Sequence, residues 1–261
     1  MSTDPLAQFR AEVMDNIAGL GRDRDIQDLS RMWLRDTLPH RYTYNFSWLG
    51  RPIIQYPQDI VAVQELIWSI KPDLIVETGI AHGGSLVFSA SMLALLDMGD
   101  AIEAGCAFDP TKSRRKVLGI DIDIREHNRA AIEVHPMFSR IQMIQGSSIA
   151  PTVIDEVRRI ASQYRRVLVF LDSNHTHAHV LAELEAYAPL TSIGSYCVVF
   201  DTIIEDLPAD QYPDRPWGPG NSPKTAVWEY TKNHPEFTID TEIQNKLLIT
   251  VAPDGFLKRT R

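Results

Sequence analysis

The sequence of 261 residues predicts an α/β fold built on a doubly wound, mostly parallel sheet. Three observations predict it: apolar runs that alternate with helical patterns, a glycine-bearing turn after the first run, and a pair of short strands near the C-terminus. The predicted parallel strands are Leu74–Glu77, Val117–Ile122, Ile141–Gln145, Val167–Asp172 and Tyr196–Asp201. Repeated strand–helix units of this kind form a parallel sheet that helices cover on both faces.

Helical patterns fill the connections between these strands, at Ser85–Leu96, Arg125–Val134, Ala150–Gln163 and Thr176–Ala188. Near the C-terminus, Phe237–Thr241 and Lys246–Val251 are separated only by Glu242–Asn245, and this spacing predicts a hairpin. A hairpin joins antiparallel strands, so one strand at this edge must run against the others. Dinucleotide-binding folds normally keep all their strands parallel, so the hairpin favours a different doubly wound sheet.

Residues 1–70 precede the first strand of the sheet. Asp4–Leu20 and Asp25–Leu38 have the pattern of short amphipathic helices, and Tyr42–Tyr56 is aromatic and irregular. We therefore expect a helical and irregular N-terminal extension over residues 1–70 that packs on a core domain over residues 71–261. Two connections are long for a compact fold, Asp97–Lys116 and the Pro- and Gly-rich Leu207–Pro223, and such connections are commonly lids or interaction loops.

Composition narrows the class of partner. The chain is 44% hydrophobic and carries a net charge of −8, which suits a large domain with a substantial core. The net negative charge argues against nucleic acid or an anionic membrane as a partner, because basic patches favour binding to either one. The N-terminus has no apolar signal core, and the two cysteines, Cys106 and Cys197, predict no disulfide framework. We therefore expect a cytoplasmic protein with no nucleic-acid or membrane partner.

The segment Ile75–Ser85 (IVETGIAHGGS) is the most informative part of the sequence. An apolar run ends at the acid Glu77, and a turn containing Gly79, Gly83 and Gly84 follows before a helical run begins. A turn with little side chain lets a ligand approach the backbone closely. The spacing is G-x-x-x-G-G rather than the G-x-G-x-x-G of dinucleotide sites. An acid two residues before the first glycine is typical of S-adenosylmethionine (SAM) methyltransferases, so an NAD enzyme is the least favoured alternative.

Polar residues follow the ends of all five predicted strands. Ligands of open parallel sheets bind outside the carboxyl ends of the strands, so we expect a site at this edge. Asp121, at the end of the second strand, is placed to accept hydrogen bonds from the ribose hydroxyls of a nucleoside. Ser147 and Ser148, after the third strand, either hold the adenine or cap the following helix.

Asp172 and Asp201 end the fourth and fifth predicted strands, which should be neighbours in the sheet. Two carboxylates, together with the hydroxyl of Thr202 and waters, suit a hard cation such as Mg²⁺. The cation would lower the pKa of a bound substrate hydroxyl and orient it for attack. His175 and His177 follow Asp172 closely, and either one is a candidate for the base that takes the hydroxyl proton.

His179 completes an apparent histidine cluster with His175 and His177. On a helix, the i, i+2, i+4 spacing directs the middle residue away from the other two, so a three-histidine metal face is not expected. We predict that His179 is a solvated or packed helix residue.

Six segments together resemble the "cephalosporin hydroxylase" family. They are Thr43–Gln55 (TYNFSWLGRPIIQ), Lys71–Leu86, Gly119–Ile124 (GIDIDI), Leu171–Leu190, Gly194–Thr202 (GSYCVVFDT) and the C-terminal hairpin. Members of that family look like SAM-dependent O-methyltransferases, among them rhamnosyl and other sugar O-methyltransferases. The resemblance covers about residues 43 to 258. It implies a class I methyltransferase fold, SAM as methyl donor, often Mg²⁺, and a homo-oligomer.

The resemblance also implies roles for particular residues. The SAM-binding turn would consist of Glu77, Gly79, Ala81, His82, Gly83 and Ser85, with Asp121 as the ribose acid and Ser147 and Ser148 on the adenine side. Asp172 and Asp201 match metal ligands, and His175 stands where the similar catechol-type methyltransferases carry a catalytic lysine.

Two positions depart from the family's pattern. Phe200 replaces the first acid of an E-D-T motif, and Asn174 stands where aspartate is common. Fewer carboxylates mean a lower site charge. Either Thr202 and waters complete the metal shell, or the metal is weak or absent and a histidine alone activates the hydroxyl.

The favoured hypothesis is methyl transfer from SAM to a hydroxyl of a sugar or other polar small molecule, in a natural-product or polysaccharide pathway. The segment around Trp217 would act as a lid, and nearby aromatic residues either stack on a sugar or form subunit contacts or local core. Two alternatives stay open. One is an iron-dependent hydroxylase with Asp172, His175 and His177 as ligands, and the other is a SAM-fold binding protein without catalysis.

Overall fold

The N-terminal part of the chain folds into helices and one short hairpin in the computed structural model, which describes residues 4–261. Its elements are α1 (Pro5–Arg22), α2 (Arg24–Thr37), β1 (Phe46–Trp48), β2 (Arg51–Ile53) and α3 (Pro57–Ile70). The two predicted helices are confirmed as α1 and α2. The aromatic segment is more regular than predicted, because β1 and β2 pair antiparallel with Phe46 opposite Ile53.

A seven-stranded sheet forms the centre of the fold. Its strands are β3 (Leu74–Thr78), β4 (Lys116–Asp121), β5 (Ile141–Gln145), β6 (Val167–Leu171), β7 (Tyr196–Val199), β8 (Phe237–Ile239) and β9 (Phe256–Arg259). Their order is β5-β4-β3-β6-β7-β9-β8, and β3 to β7 are parallel while β9 runs antiparallel to both of its neighbours. The remaining helices are α4 (Gly84–Glu103), α5 (Glu126–Glu133), α6 (Pro151–Ala161), α7 (His177–Tyr187), α8 (Pro223–Asn233) and α9 (Thr241–Leu247). The predicted doubly wound, mostly parallel sheet is confirmed.

The C-terminal antiparallel pair contains different residues from those predicted. Lys246–Val251 is not a strand, because the chain after β8 forms α9. The Asp240 carboxylate caps this helix by accepting a hydrogen bond from the backbone N–H of Glu242, and a capped, acidic first turn favours a helix. The antiparallel strand is β9, which lies between β7 and β8. The prediction of one reversed strand is right, and the prediction of a tight hairpin over Lys246–Val251 is wrong.

Side chains of the central strand alternate between two cores. Ile75 packs in a core that also holds Leu34 of α2 and Val63 of α3, while Leu74 and Val76 pack on the opposite face of the sheet. Residues of the N-terminal extension therefore share a core with the sheet. The division into residues 1–70 and 71–261 stays a prediction.

Helix α4 packs along the sheet and is longer than predicted. By length and composition it is apolar enough to cross a membrane, since an 18-residue stretch of it has a mean hydropathy of 1.4. Half of that stretch is buried within the fold. Its C-terminal part carries Asp97, which pairs with Arg115 and with the almost fully buried Arg140. Because α4 continues to Glu103, the connection predicted over Asp97–Lys116 is in fact shorter.

The turn after β3 lies against the strand end beside it. Gly79 has φ +91°, and a Cβ at this position would lie 2.1 Å from the backbone oxygen of Asp172. Gly50, at the tip of the β1–β2 hairpin, has a similar φ of +84° but nothing within 4 Å of such a Cβ. Substituting each glycine in turn therefore distinguishes the free-energy cost of a left-handed backbone from the free-energy cost of a steric contact.

We expect Gly79→Ala to destabilise the protein much more than Gly50→Ala. Both variants meet the cost of a left-handed residue with a Cβ, roughly 1–2 kcal/mol, and Gly79→Ala must also displace the Asp172 backbone. Thermal unfolding of the two variants measures the difference. Equal losses of stability would show that the turn and the end of β6 are not in close contact.

Candidate active site

A cleft of about 390 Å³ lies at the carboxyl ends of the parallel strands, where open α/β sheets bind their ligands. Its lining includes the turn between β3 and α4, residues of the N-terminal extension, and residues of the long connection before α8. The predicted site residues on the cleft wall are Gly79, Ala81, His82, Ser85, Asp121, Asp172, His175 and Asp201.

Two side chains that the sequence does not predict hold the β3–α4 turn from outside. Arg51 donates from Nε to the carbonyl oxygen of His82 (3.0 Å), and the Asn128 side-chain amide donates to the carbonyl oxygen of Ala81 (2.9 Å). Arg51 also donates to the side-chain oxygen of Asn128 (3.1 Å). These bonds hold Ala81 at φ 44°, a conformation that non-glycine residues rarely adopt.

Glu77 and Gly83 support the turn from beneath and do not line the cleft. The Glu77 carboxyl is buried, Oε1 accepts a hydrogen bond from the Ser85 hydroxyl, and Oε2 has no partner among the described residues. Burial raises the pKa of Glu77 to about 7, against the opposing effect of the Ser85 hydrogen bond. Glu77 therefore fixes the start of α4 through Ser85.

Asp121 lies on the cleft wall and also stabilises the turn. Its Oδ2 accepts hydrogen bonds from the backbone N–H groups of Ile80 (2.8 Å) and Ala81 (3.3 Å), and its Oδ1 accepts one from Asp123 (3.0 Å). An ionised carboxylate has about four lone-pair positions, so Asp121 retains capacity for a further donor from the cleft. The role of Asp121 as the ribose acid stays a prediction.

The loop after β5 does not present its serine side chains as predicted. Ser148 is buried, and its hydroxyl lies 3.0 Å from Nε2 of His179. Its backbone oxygen accepts a hydrogen bond from the Tyr187 hydroxyl. Ser147 does not line the cleft, and Ala150, not a serine, is the N-cap of α6. The helix-cap alternative is therefore wrong, and the adenine contact of this loop stays a prediction.

Asp172, His175 and Asp201 converge at the ends of β6 and β7. One ligand atom from each lies within 4.8 Å of the others, and Nε2 of His175 lies 3.3 Å from Oδ2 of Asp201. Burial raises the pKa of Asp172 well above its ordinary value, and the carboxylates of Asp201 and Glu77 raise it further. A divalent cation would relieve this repulsion. Carboxylate oxygens suit Mg²⁺ and imidazole suits transition metals, so the donor set fits a divalent cation.

Thr202 is not available as a metal ligand. It is fully buried, and its hydroxyl donates to the carbonyl oxygen of Pro253 (2.6 Å). The predicted role is therefore wrong, because the residue before it turns the chain: Asp201 has φ 55° and ψ 21°, in the left-handed region. Thr202 instead anchors the Asp201 turn to the segment before β9.

His177 is directed away from the cleft. Its Nδ1 lies 2.8 Å from the Thr225 hydroxyl and its Nε2 lies 3.2 Å from the Glu229 carboxylate, both on α8. His175 precedes α7 and faces the cleft, whereas His177 is in the first turn of α7, which packs on α8. The prediction of His177 as a base is wrong. The iron ligand set that includes His177 is not assembled either.

Trp217, from the long connection before α8, packs against His175. Their ring centroids are 5.4 Å apart in an edge-to-face arrangement, and the ring centroid of Tyr212 lies 5.1 Å from that of Trp217. Arg215 lies 5.8 Å from the centre of the same ring. Tyr212, Arg215 and Trp217 all line the cleft. The role of this segment as a lid stays a prediction.

Comparisons with known proteins decide the family. The family model described as "Rhamnosyl O-methyltransferase/CmcI" matches residues 40–260. The chain belongs to this family. The rhamnosyl O-methyltransferase of Mycobacterium leprae (strain TN) is 29% identical over 229 residues, which cover 84% of this chain and 88% of the relative. The rhamnosyl O-methyltransferase of Mycobacterium tuberculosis (strain ATCC 25618 / H37Rv) is 32% identical over 204 residues, 77% of this chain and 73% of the relative.

Solved structures of CmcI have the same fold. The apo structure has a TM-score of 0.55 at 18% identity and covers 84% of this chain and 77% of its own. A CmcI structure with Mg and SAM has a TM-score of 0.53 at 20% identity and covers 84% and 78%. The resemblance inferred from the motifs and the class I methyltransferase fold are thus confirmed, and membership in the rhamnosyl O-methyltransferase/CmcI family confirms the prediction of an O-methyltransferase.

Within this family, the two unusual positions of the chain have structural roles. Phe200 is buried at the base of the cleft, 5.9 Å from the ring of Phe170. The side-chain oxygen of Asn174 accepts hydrogen bonds from the backbone N–H (2.9 Å) and the hydroxyl (2.8 Å) of Thr176, and so shapes the loop that leads into α7. Neither residue adds a charge to the Asp172–His175–Asp201 group.

A buried carboxylate connects the N-terminal extension to the segment that supports Asp201. Asp59 of α3 is fully buried; its Oδ1 accepts from the Thr250 hydroxyl and its Oδ2 from the Val251 N–H (3.0 Å). The carbonyl oxygen of Val251 accepts from the N–H of Ile203, two residues after Asp201. Burial raises the pKa of Asp59 to about 7, although both hydrogen bonds lower it.

Asp59 should make the protein less stable as the pH rises. Its pKa in the folded state, about 7, exceeds the ordinary value of 3.8, so the folded state holds the proton more tightly. The resulting stabilisation is complete below pH 3.8 and is lost as the pH rises through about 7. Each unit of pKa difference corresponds to about 1.4 kcal/mol.

Asp59→Asn should remove this part of the pH dependence, because an amide does not titrate. Denaturant unfolding of wild type and variant at several pH values between about 4 and about 8 gives the difference in free energy of unfolding. Glu77 contributes a dependence of the same sign to both proteins and cancels in the difference. Parallel pH curves for the two proteins would contradict the assignment to Asp59.

Proposed function

We propose that this chain transfers a methyl group from SAM to a hydroxyl of a sugar, with a rhamnosyl unit as the first acceptor to test. The observation that carries the proposal is a single cleft that contains both the Asp121-supported turn and the Asp172–His175–Asp201 group. The names of the M. leprae and M. tuberculosis relatives support a rhamnosyl acceptor. Natural-product and polysaccharide pathways contain such acceptors.

The residues at the β3–α4 turn fit SAM. When bound, SAM supplies a methyl group activated on a sulfonium. We assign Asp121 to the ribose hydroxyls, because its carboxylate has capacity for a further donor. The rest of the binding turn consists of Gly79, Ala81, His82 and Ser85, which line the cleft, with Glu77 and Gly83 supporting it from beneath. Arg51 and Asn128 keep the backbone of this turn in place through Ala81 and His82.

His175 is the base in this proposal. It lies on the cleft wall, and the proton that leaves the acceptor hydroxyl is held on its imidazole ring. Oδ2 of Asp201 lies 3.3 Å from Nε2 and stabilises the positive charge that the ring then carries. The Trp217 ring packs edge-to-face against the imidazole and fixes its orientation.

Asp172 and Asp201 would hold Mg²⁺. A bound cation would lower the pKa of the acceptor hydroxyl. The features of this chain that favour such a cation are the convergence of Asp172, His175 and Asp201, and the pKa of Asp172, which burial and the neighbouring carboxylates raise. The Thr202 hydroxyl donates to the carbonyl oxygen of Pro253. Of the three metal ligands predicted from the sequence, Asp172 and Asp201 therefore remain.

Aromatic residues around the cleft would bind the sugar. Tyr44 from the N-terminal extension and Tyr212 and Trp217 from the predicted lid all line the cleft. Aromatic faces present large rigid surfaces against which a sugar ring can pack. We further propose that the enzyme acts in the cytoplasm as a homo-oligomer. Exposed apolar side chains on α1 and α2, such as Leu6, Phe9 and Leu29, support contacts between subunits.

Replacing His175 by alanine should lower turnover by roughly 10²- to 10⁴-fold, the usual contribution of a general base. The affinity for S-adenosylhomocysteine (SAH) should stay close to that of wild type, because the change leaves Asp121 and the turn intact. Turnover is measured by product mass and SAH affinity by calorimetry. His177→Ala is the matched control, since His177 contacts α8 and not the cleft. Equal turnover in the two variants would remove the role assigned to His175.

Replacing Asp172 by asparagine should weaken the binding of Mg²⁺ or Mn²⁺ to the protein and reduce turnover. The physical reason is the loss of one of the two carboxylates that face the cation. Calorimetry with each metal alone measures binding, and turnover in excess chelator measures dependence. Asp109→Asn, on the exposed loop after α4, is the control. Full turnover in excess chelator, with no measurable metal binding by wild type, would contradict the cation assignment.

A further inference from the structure

Helix α7 carries two polar side chains, one turn apart, that lie under the cleft. Glu183 is completely buried, and its Oε1 accepts a hydrogen bond from the Ser173 hydroxyl (2.6 Å). Nε2 of His179 lies 3.6 Å from the same oxygen. Oε2 of Glu183 has no partner among the described residues. Neither His179 nor Glu183 lines the cleft, so neither has a direct part in the proposed chemistry.

These side chains contact two loops that belong to different halves of the site. Ser173 follows Asp172 in the loop after β6 and lines the cleft, and Ser148 lies in the loop after β5. Nε2 of His179 is 3.0 Å from the Ser148 hydroxyl and 3.3 Å from the Ser173 hydroxyl, and the two hydroxyls are 3.5 Å apart. Tyr187, one turn after Glu183, donates to the backbone oxygen of Ser148. A single face of α7 thus holds both loops.

The polar composition of this contact is not explained by stability. A buried carboxylate must be compensated by hydrogen bonds or charge, and well-packed apolar side chains are often at least as stabilising in its place. What a connected polar group supplies is a defined geometry, because its hydrogen bonds are directional and the cost of breaking any one of them is high in a dry interior.

We propose that His179, supported by Glu183, is a positioning residue that sets the loop after β5 and the loop after β6 at a fixed separation. The inference rests on the proposed function. It assigns the first loop to the nucleoside side of SAM and the second to Asp172 and His175. His179 thereby couples the placement of the methyl donor to the placement of the groups that bind and deprotonate the acceptor.

The test uses His179→Ala, which removes the shared partner without touching the cleft wall. We expect the Kd for SAH to rise by roughly 10-fold and kcat at saturating SAM to fall by roughly 10²-fold, the loss that a displacement of about 1 Å typically produces. His179→Gln keeps a hydrogen-bonding group and should recover much of both losses. Glu185→Ala is the control, because Glu185 is on the same helix but contacts His234 at the surface. It should match wild type in both quantities.

Two further variants separate positioning from a general loss of structure. Ser173→Ala should lower kcat while the Kd for SAH stays within about 3-fold of wild type, and Ser148→Ala should raise the Kd with a smaller effect on kcat. If the two serines had a purely structural role, both variants would have a lower melting temperature. Ser173→Ala would then not affect mainly kcat, and Ser148→Ala would not affect mainly the Kd for SAH. All measurements are made well below the lowest melting temperature. If His179→Ala does not fold, the two serine variants and His179→Gln decide the question alone.

Each outcome has a distinct meaning. Wild-type Kd and kcat in folded His179→Ala, or in both serine variants, overturn the inference and leave the proposed function standing. Losses in His179→Ala that Glu185→Ala reproduces overturn it as well. Wild-type protein that binds no SAH overturns the proposed function, and the inference falls with it.

Discussion

The contact between the β3–α4 turn and the end of β6 determines how the two halves of the cleft meet. Thr78 and Leu171 are paired across these strands, and the backbone N–H of Asp172 donates to the Thr78 oxygen (2.9 Å). At the next position, only a residue without a Cβ allows the Asp172 carbonyl to approach Gly79 so closely. The backbone that would bind the methyl donor and the carboxylate that would bind the cation are therefore parts of one rigid junction.

Carboxyl groups concentrate around that junction. Burial raises the pKa of Asp172, and the neighbouring carboxyl groups of Asp201, Glu77, Glu183 and Asp59 raise it further. A fold does not benefit from such a cluster in itself, because buried like charges oppose folding. The cluster is understandable if a cation and an imidazolium share the site during the reaction. Asp201 would interact with both the cation and the imidazolium, because it lies beside Asp172 and contacts His175.

The sheet and the strand-end acids are predictable from sequence because they depend on local pattern: an apolar run, then a polar residue at the edge where the strands end. The direction of an individual side chain depends on distant partners. Thr202 is adjacent to Asp201 yet bonds Pro253, and His177 is two residues from His175 yet bonds Thr225. The role of Arg51 is not predicted for the same reason, because Arg51 acts through the backbone of the distant His82. The placement of β9 between β7 and β8 also depends on distant partners.

A crystal structure of the protein soaked with SAH and Mg²⁺ would locate both ligands at once. We expect the nucleoside along the β3–α4 turn, with the ribose hydroxyls on Asp121 and the homocysteine sulfur facing His175. We also expect a cation held by Asp172 and Asp201. SAH bound at another surface, or a cleft that stays empty of the nucleoside at millimolar concentration, would contradict the expected placement of the nucleoside.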